Sequence, residues 1–185
     1  QASIIYDVAK DMVKQSPALS KRIKISESVK RMVYIPTGSI YQVLSAEVAT
    51  KHGLNVSACV FDELHTQPNR ALFDVMTQGS GDARAQPLWF FLTTAGTDRT
   101  SICWEVHQKA MDILEGRKKD PRFYPVVYGL KEDEDWHNEA NWYKANPNLG
   151  VSVELDAMRA AFREAMLSAT KETAFRTKNL NEWMN

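Results

Sequence analysis

The sequence has few cysteines and no long apolar run, and each shortage excludes a class of protein. Two of the 185 residues are cysteines, Cys59 and Cys103, which is too few for a disulfide framework and favours a reducing compartment. No stretch approaches the ~18 apolar residues that a membrane-spanning helix needs, so we expect no membrane partner. The formal net charge is zero, so overall charge provides no attraction to nucleic acid.

A phosphate-binding loop is also missing from the sequence. Such a loop reads G-x-x-x-x-G-K-[ST], and no Gly-Lys pair occurs among these residues. The chain opens on Gln1 rather than methionine and enters a helical pattern at once. We therefore expect it to be a piece of a longer protein.

What the sequence does contain is an alternation of two hydrophobic patterns. Helical spacing predicts helices at residues 2–15, 69–78, 101–116 and 153–169, the last with Ser152 as its N-cap. Continuous apolar runs predict buried strands at residues 56–61 and 88–93, residues 123–130 are a third strand candidate, and shorter β-like runs lie at 23–25, 32–35 and 41–44. This alternation favours an α/β fold with a mainly parallel sheet flanked by helices.

Two adjacent carboxylates, Asp62 and Glu63, directly follow the apolar run at 56–61. In nucleotide hydrolysis the first acid of such a pair holds Mg²⁺ through its water shell, and the second orients and deprotonates the attacking water. Four apolar residues followed by Asp-Glu form the pattern called Walker B. The alternative is that Asp62 caps the next helix and that Glu63 is a solvated side chain.

The next apolar run ends in hydroxyl groups. Residues 88–96, LWFFLTTAG, place Thr93 and Thr94 after the run and add Gly96, which permits close approach of the backbone to a ligand. A hydroxyl at this position can sense a terminal phosphate, and the alternative is a threonine-capped turn. Because parallel strands end at one edge, we predict that 56–61 and 88–93 are adjacent and parallel, joined through the helix at 69–78.

Residues 41–96, with their VFDELH and TTAG elements, resemble the large terminase subunit of tailed bacteriophages, the motor that packages DNA. The later stretches DWHNEANWYKANPNLGVSV and FRTKNLNEWMN resemble the same family. The resemblance implies an additional-strand P-loop ATPase fold of the RecA-like type. By position, it makes Asp62 the magnesium-associated acid, Glu63 the catalytic glutamate, and residues 93–96 a coupling motif that links hydrolysis to movement, with Thr93, Thr94 and Gly96 as its phosphate-sensing residues.

The resemblance also implies a division of the chain and a set of ligands. Residues 1–130 are expected to be a partial ATPase core, and 131–185 a helical lid or linker before a nuclease domain beyond Asn185. The phosphate-binding loop is expected before Gln1, so these residues alone should not turn over ATP. The implied cofactors are ATP and Mg²⁺. The implied partners, in the host bacterial cytoplasm, are double-stranded DNA, the portal protein, the small terminase subunit and further copies in a ring.

Two other sites are less well defined. Motors of this kind use a trans-acting arginine whose place here is unknown. Solvated surface charge is the default interpretation of each basic candidate: Lys51, His52, Arg70 and Arg99. Cys103 and His107 are four residues apart, and a zinc site is conceivable if Cys59 and His65 join them. No CxxC or HxxxH pair supports such a site.

Two other functions compete with the packaging motor. The residues FDELH also resemble the DExH box of helicases, although a helicase would need a Ser-Ala-Thr-like motif where TTAG stands. A non-catalytic module that docks on a portal or small terminase subunit is the other alternative. ATP binding by a chain that includes the upstream phosphate-binding loop would separate the two enzymes from the module.

Overall fold

A computed structural model describes residues 2–44, 53–78 and 83–184. The N-terminal region contains two helices and three short strands, which are α1 (Ala2–Gln15), α2 (Pro17–Ser20), β1 (Ile23–Ser26), β2 (Arg31–Tyr34) and β3 (Ser39–Gln42). The three strands pair in the order β1-β2-β3, and both pairings are antiparallel. Tyr6 and Val13 of α1 pack with Met32 of β2 to form the small core of this region.

This antiparallel sheet corrects the prediction of one mainly parallel sheet. The shorter β-like runs do form strands, but they pair with one another and not with the strands at 58–62 and 88–92. The connection between β2 and β3 has only four residues and includes Gly38 at φ 69°. A connection this short can reverse the chain but cannot make the long crossover that parallel strands require.

The predicted parallel pair is confirmed. β4 (Ala58–Asp62) and β5 (Leu88–Leu92) lie side by side and parallel, with Asp62 opposite Leu92 in the register. The helix α3 (Ala71–Thr77) lies in the connection between them. The two strands therefore end at the same edge, as a parallel pair must.

Only one face of this pair is covered within the described residues. The rings of Phe61 and Phe91 lie 5.4 Å apart, and Phe73 of α3 lies 5.3 Å from Phe91. The opposite face carries four exposed apolar side chains, Val60, Leu88, Phe90 and Leu92. The predictions of fully buried strands and of helices on both faces are therefore wrong here, because side chains alternate across a strand and the described helices pack on one side.

The C-terminal region is helical, with α4 (Ile102–Leu114), α5 (Glu139–Ala145), α6 (Leu155–Ala165) and α7 (Ala169–Asn179). Ser101 caps α4, where its hydroxyl accepts a hydrogen bond from the Trp104 amide at 3.2 Å. The helix predicted at 153–169 is confirmed as α6, which is shorter at both ends, but its predicted cap is wrong because Glu154 holds the N-cap position of α6. The Ser152 side chain bonds Asn148 instead, and Ser168 caps α7.

Residues 123–130 form no strand, which corrects the third strand prediction. This segment contacts residues 180–183, here named the C-terminal segment, where the Leu130 amide donates to the Leu180 carbonyl at 3.0 Å. Leu130 and Leu180 belong to a hydrophobic cluster with α5, α6 and α7, whereas a second cluster joins α3 and α4 to the parallel strands. No helix in the described part of the chain is long and apolar enough to cross a membrane.

Candidate functional site

The ends of β4 and β5 bring the two predicted motifs together. Asp62 is the last residue of β4 and pairs with Leu92, the last residue of β5. Glu63 and Thr93 therefore both follow directly from the same edge of the sheet. The backbone amide of His65 donates to the Thr93 hydroxyl at 3.1 Å, which joins the two strand ends across 28 residues of sequence.

Asp62 carries a carboxylate that the protein does not engage. Its side chain is partly buried, and within residues 2–44, 53–78 and 83–184 it makes no hydrogen bond or ion pair. A carboxylate oxygen in this situation remains available to water or to a hydrated divalent cation. The helix-cap alternative is not supported, because the next helical turn is preceded by Glu63 and that turn has no side-chain cap.

Glu63 has a left-handed backbone, with φ 55° and ψ 53°. This region disfavours residues other than glycine by about 1–2 kcal/mol, so surrounding contacts must hold it. The amide and the hydroxyl of Thr66 both donate to the Glu63 carbonyl at 2.9 Å. Backbone strain of this kind concentrates at functional sites, where it directs a side chain that an extended strand would place elsewhere.

His65 connects Glu63 to Thr93. Its Nδ1 lies 3.1 Å from Glu63 Oε2 and 3.0 Å from the Thr93 hydroxyl oxygen. The Thr93 hydroxyl has one proton, and the Thr94 carbonyl is in place to accept it at 3.0 Å. In that arrangement His65 Nδ1 carries the proton that faces both the carboxylate and the hydroxyl.

Gly96 packs closely against its neighbours and has no positive φ. A Cβ at this position would lie 3.3 Å from Cζ3 of Trp183 and 3.6 Å from Cβ of His65. The neighbouring Ala95 is 3% exposed, and its amide donates to Oδ1 of Asn181 at 2.5 Å. In residues 93–96, here named the coupling loop, Ala95 and Gly96 therefore pack against the C-terminal segment and Gly96 also against His65, whereas Thr93 is exposed.

The basic candidates for a trans-acting arginine are engaged within the chain where they are described. Arg70 forms ion pairs with Asp74 and Glu105. Arg99 pairs with Glu132, donates to the Trp183 carbonyl at 3.0 Å and lies 4.8 Å over the Trp104 ring. Lys51 and His52 lie outside the described residues. The position of a trans-acting arginine stays unassigned.

The residues of the conceivable zinc site have other surroundings. Burial raises the pKa of Cys59 to about 11, and burial also raises that of Cys103, whose sulfur lies 3.6 Å from the Thr93 hydroxyl. Burial, with the nearby Arg99 charge, lowers the pKa of His107, whose ring packs on Trp104 and Trp183. The described residues contain no group of three or more histidines, cysteines or acids that could hold a metal.

Comparison with known proteins adds a family to this geometry. The family model of the terminase large subunit ATPase domain matches residues 1–112, which is more than half of the chain. The chain belongs to the terminase large-subunit family. The model of the terminase large subunit endonuclease domain matches residues 117–185, so this second match begins before the Asn185 boundary that the resemblance implied for a nuclease domain.

Two individual proteins and one solved structure are similar to most of the chain. The large subunit terminase of Enterobacteria phage HK97 is 30% identical over 98% of this chain, and protein YmfN of Escherichia coli (strain K12) is 33% identical over 71%. The crystal structure of the HK97 bacteriophage large terminase superimposes with a TM-score of 0.83 at 27% identity, and the match covers 99% of this chain and 37% of that one. The chain spans 35% of the phage relative and 29% of YmfN. These matches do not favour the helicase or the docking module.

Terminase large subunits have ATPase and endonuclease domains, so the family uses nucleotides and divalent metal ions. The residues of the candidate site fit the metal ion. Asp62 offers an unengaged carboxylate and Glu63 a second one beside it, and Mg²⁺ needs only one or two carboxylates when phosphate oxygens and water complete its shell. The amides and lysine that hold the phosphates are not present in these 185 residues. The carboxylates therefore fit the metal and the attacking water, but not the whole nucleotide.

Sequence reasoning missed three residues of this site. The sequence pattern indicated His65 only as a conceivable zinc ligand. Its place two residues after Glu63 in a short turn is the signal that its ring lies near the Glu63 carboxylate. Asn181 and Trp183 gave no local signal, because they lie more than 80 residues from the coupling loop and reach it only through the fold.

Proposed function

We propose that this chain is part of the ATP-driven motor of a phage large terminase, which moves double-stranded DNA into a procapsid. The observation that carries the proposal is the meeting of Asp62 and Glu63 with the coupling loop at one edge of a parallel strand pair. Because the chain spans about a third of its relatives, the activity belongs to a longer protein that also supplies the phosphate-binding loop.

The proposed fold of that motor is the additional-strand P-loop ATPase of the RecA-like type. The parallel β4 and β5 support it, since both end in residues suited to nucleotide chemistry. We propose residues 1–130 as part of the ATPase core and 131–185 as a helical lid or linker. The division is supported by the separate hydrophobic cluster of α5, α6 and α7, which begins at Leu130.

Asp62 and Glu63 have different roles in this proposal. When bound, Mg²⁺ would neutralise charge on the phosphates. Asp62 would hold the hydrated ion through its unengaged carboxylate. Glu63 would orient the attacking water and accept its proton, with His65 Nδ1 holding the carboxylate in place from 3.1 Å.

The coupling loop would sense whether the terminal phosphate is present and would link hydrolysis to movement. His65 Nδ1 contacts both the Glu63 carboxylate and the Thr93 hydroxyl, and that hydroxyl donates to the Thr94 carbonyl. A change at the carboxylate would therefore alter the hydrogen bonds of the Thr93 hydroxyl. Gly96 lets Trp183 pack against the loop, which ties the loop to the C-terminal segment. The remaining proposed partners are DNA, the portal protein, the small terminase subunit and other copies in a ring.

The test uses a longer terminase that carries this chain and its phosphate-binding loop. Glu63→Gln should keep ATP binding but lower steady-state hydrolysis ~10²–10⁴-fold, because the amide keeps the shape and cannot accept a proton. Asp62→Asn should also raise the Mg²⁺ concentration needed for half-maximal turnover, because it removes charge that attracts the metal. Both variants should fail to package DNA.

Matched controls use acids far from the strand ends. Glu164→Gln on α6 and Asp156→Asn, whose side chain is 94% exposed, make the same chemical changes in surface pairs and should leave turnover unchanged. If Glu63→Gln hydrolyses ATP at the parent rate, the acid pair is only structural and the motor proposal is wrong.

A further inference from the structure

The C-terminal segment, residues 180–183, lies directly against the coupling loop. Asn181 bridges two parts of the chain with one amide: its Oδ1 accepts from the Ala95 amide at 2.5 Å, and its Nδ2 donates to the Tyr128 carbonyl at 2.7 Å. The side chain thereby uses both ends of its amide. One of its partners lies in the region that matches the ATPase model and the other in the region that matches the nuclease model.

The backbone around Asn181 is shaped for this bridge. Asn181 has a φ of 52°, a left-handed conformation that asparagine tolerates better than most residues. Gly129 lies opposite, where a Cβ would come within 2.9 Å of the Asn181 carbonyl oxygen. Leu180 is fully buried, and its carbonyl accepts from Leu130. The bridge therefore depends on a glycine on one side and on a positive φ on the other.

Trp183 and Glu182 hold the same segment in place. Trp183 is 7% exposed, packs on Gly96 and lies edge-on to Trp104 at 4.8 Å between ring centroids. Glu182 is 2% exposed and forms a two-bond ion pair with Arg176 of α7. The segment is thus anchored to α7 at one residue and pressed against the coupling loop at the residues on either side.

We propose that Asn181 is a positioning residue for the coupling loop and that it links this loop to the part of the chain matched by the nuclease model. The claim that the position of the coupling loop matters for catalysis rests on the proposed function. A shift of residues 93–96 has to move Asn181 with it or break the Ala95 hydrogen bond. A shift that keeps this bond is passed to residue 128 through the same amide.

Hydrogen exchange at the Ala95 amide, followed by NMR in this chain, tests the positioning role. Asn181→Gly keeps the positive φ but removes both hydrogen bonds, so Ala95 should exchange about two- to tenfold faster, the factor expected for one lost hydrogen bond. Asn181→Asp keeps an oxygen for the Ala95 amide and should preserve the protection. Asn141→Ala removes an amide that bonds the Asp135 carbonyl and should leave Ala95 unchanged.

Two exchange results would overturn the proposal. Unchanged protection of Ala95 in Asn181→Gly would mean that other contacts hold the loop, and equally faster exchange at Phe175 would mean that Asn181 only stabilises the whole fold. If Asn181→Gly does not fold, Asn181→Asp decides, because a loss of Ala95 protection in that variant contradicts the role of the oxygen.

Kinetics in the longer terminase test the catalytic consequence. Asn181→Gly should lower kcat about tenfold with KM unchanged, and Asn181→Asp should restore most of it. A parent-like kcat for Asn181→Gly beside an inactive Glu63→Gln would overturn the link between position and catalysis. An active Glu63→Gln would instead contradict the proposed function, and the exchange result would still decide the positioning role.

Discussion

At the scale of single residues, Glu63 is the most constrained position in the candidate site. Its left-handed backbone is held by two hydrogen bonds from Thr66, and its carboxylate is held by His65. Left-handed residues other than glycine cost stability, so this conformation is retained against its own backbone preference. In the proposed function we therefore expect His65 to act on hydrolysis through Glu63 and not by itself.

His65 gives a residue-scale prediction, because Asn and Gln place their amide nitrogen at different ring positions. In the longer terminase, His65→Asn can place a donor near the Nδ1 site and should retain more ATP turnover than His65→Gln, whose donor falls near Nε2. His65→Ala should lose about 10²-fold in kcat, a loss typical of a misplaced catalytic group. Steady-state kcat and KM are the measurement. Equal activity of all three variants would show that Glu63 needs no support.

At the scale of elements, α7 and the C-terminal segment are joined by the ion pair of Arg176 and Glu182. The guanidinium donates to both carboxylate oxygens, with Nε 2.8 Å from Oε2, and a third bond reaches Glu172. Arg176 also lies 5.6 Å over the Trp136 ring. A buried carboxylate of this kind depends on its partner, since removal of one charge leaves the other uncompensated.

Arg176→Met should therefore lower the free energy of unfolding by about 3–5 kcal/mol. The double variant Arg176→Met with Glu182→Met should recover much of that loss, because no buried charge remains. Urea denaturation of the three proteins measures the difference. Arg159→Met, which breaks a solvent-exposed pair with Glu139, is the control and should change the free energy of unfolding far less than Arg176→Met does. A double variant no more stable than Arg176→Met would contradict the argument.

At the scale of the whole molecule, the boundary between the two family matches is not a boundary between the hydrophobic clusters. The ATPase match ends at residue 112 and the nuclease match starts at 117, yet Trp183 belongs to the hydrophobic cluster of the parallel strands. Leu180 belongs to the cluster of α5, α6 and α7. The C-terminal segment therefore contributes to both cores within four residues.

Nucleotide binding gives a prediction for the whole chain. Isothermal titration of these 185 residues with Mg-ATP should show at best weak binding and no turnover, because no Gly-Lys pair is present to supply a phosphate-binding loop. A protein extended through that loop should bind in the same assay and serves as the positive control. Micromolar binding to the 185 residues would mean that another part of the chain holds the phosphates.

Much of the strand and helix pattern was predictable from local hydrophobic spacing. The start of α4 after Ser101 was predicted from neighbouring residues, and the parallel pairing of 58–62 with 88–92 from the order of strand, helix and strand along the chain. The end of α6 was predicted four residues too late, at residue 169 instead of Ala165, because the apolar residues Met166 and Leu167 extend the helical pattern. The strand expected at 123–130 does not form because no other strand pairs with it in the described part of the chain. Two of its backbone groups bond residues 180 and 181 instead.

The sequence by itself determined the acid pair after one strand, the hydroxyls after the next and the absence of a phosphate-binding loop. Each is a short pattern whose meaning depends on residues close in the chain. Only the tertiary structure decided that His65 joins Glu63 to Thr93, that Asn181 holds Ala95, and that one face of the strand pair is exposed in the described residues. The physical reason is that these contacts join residues far apart in sequence, 86 positions for the Asn181 bond, and no local spacing specifies which of them meet.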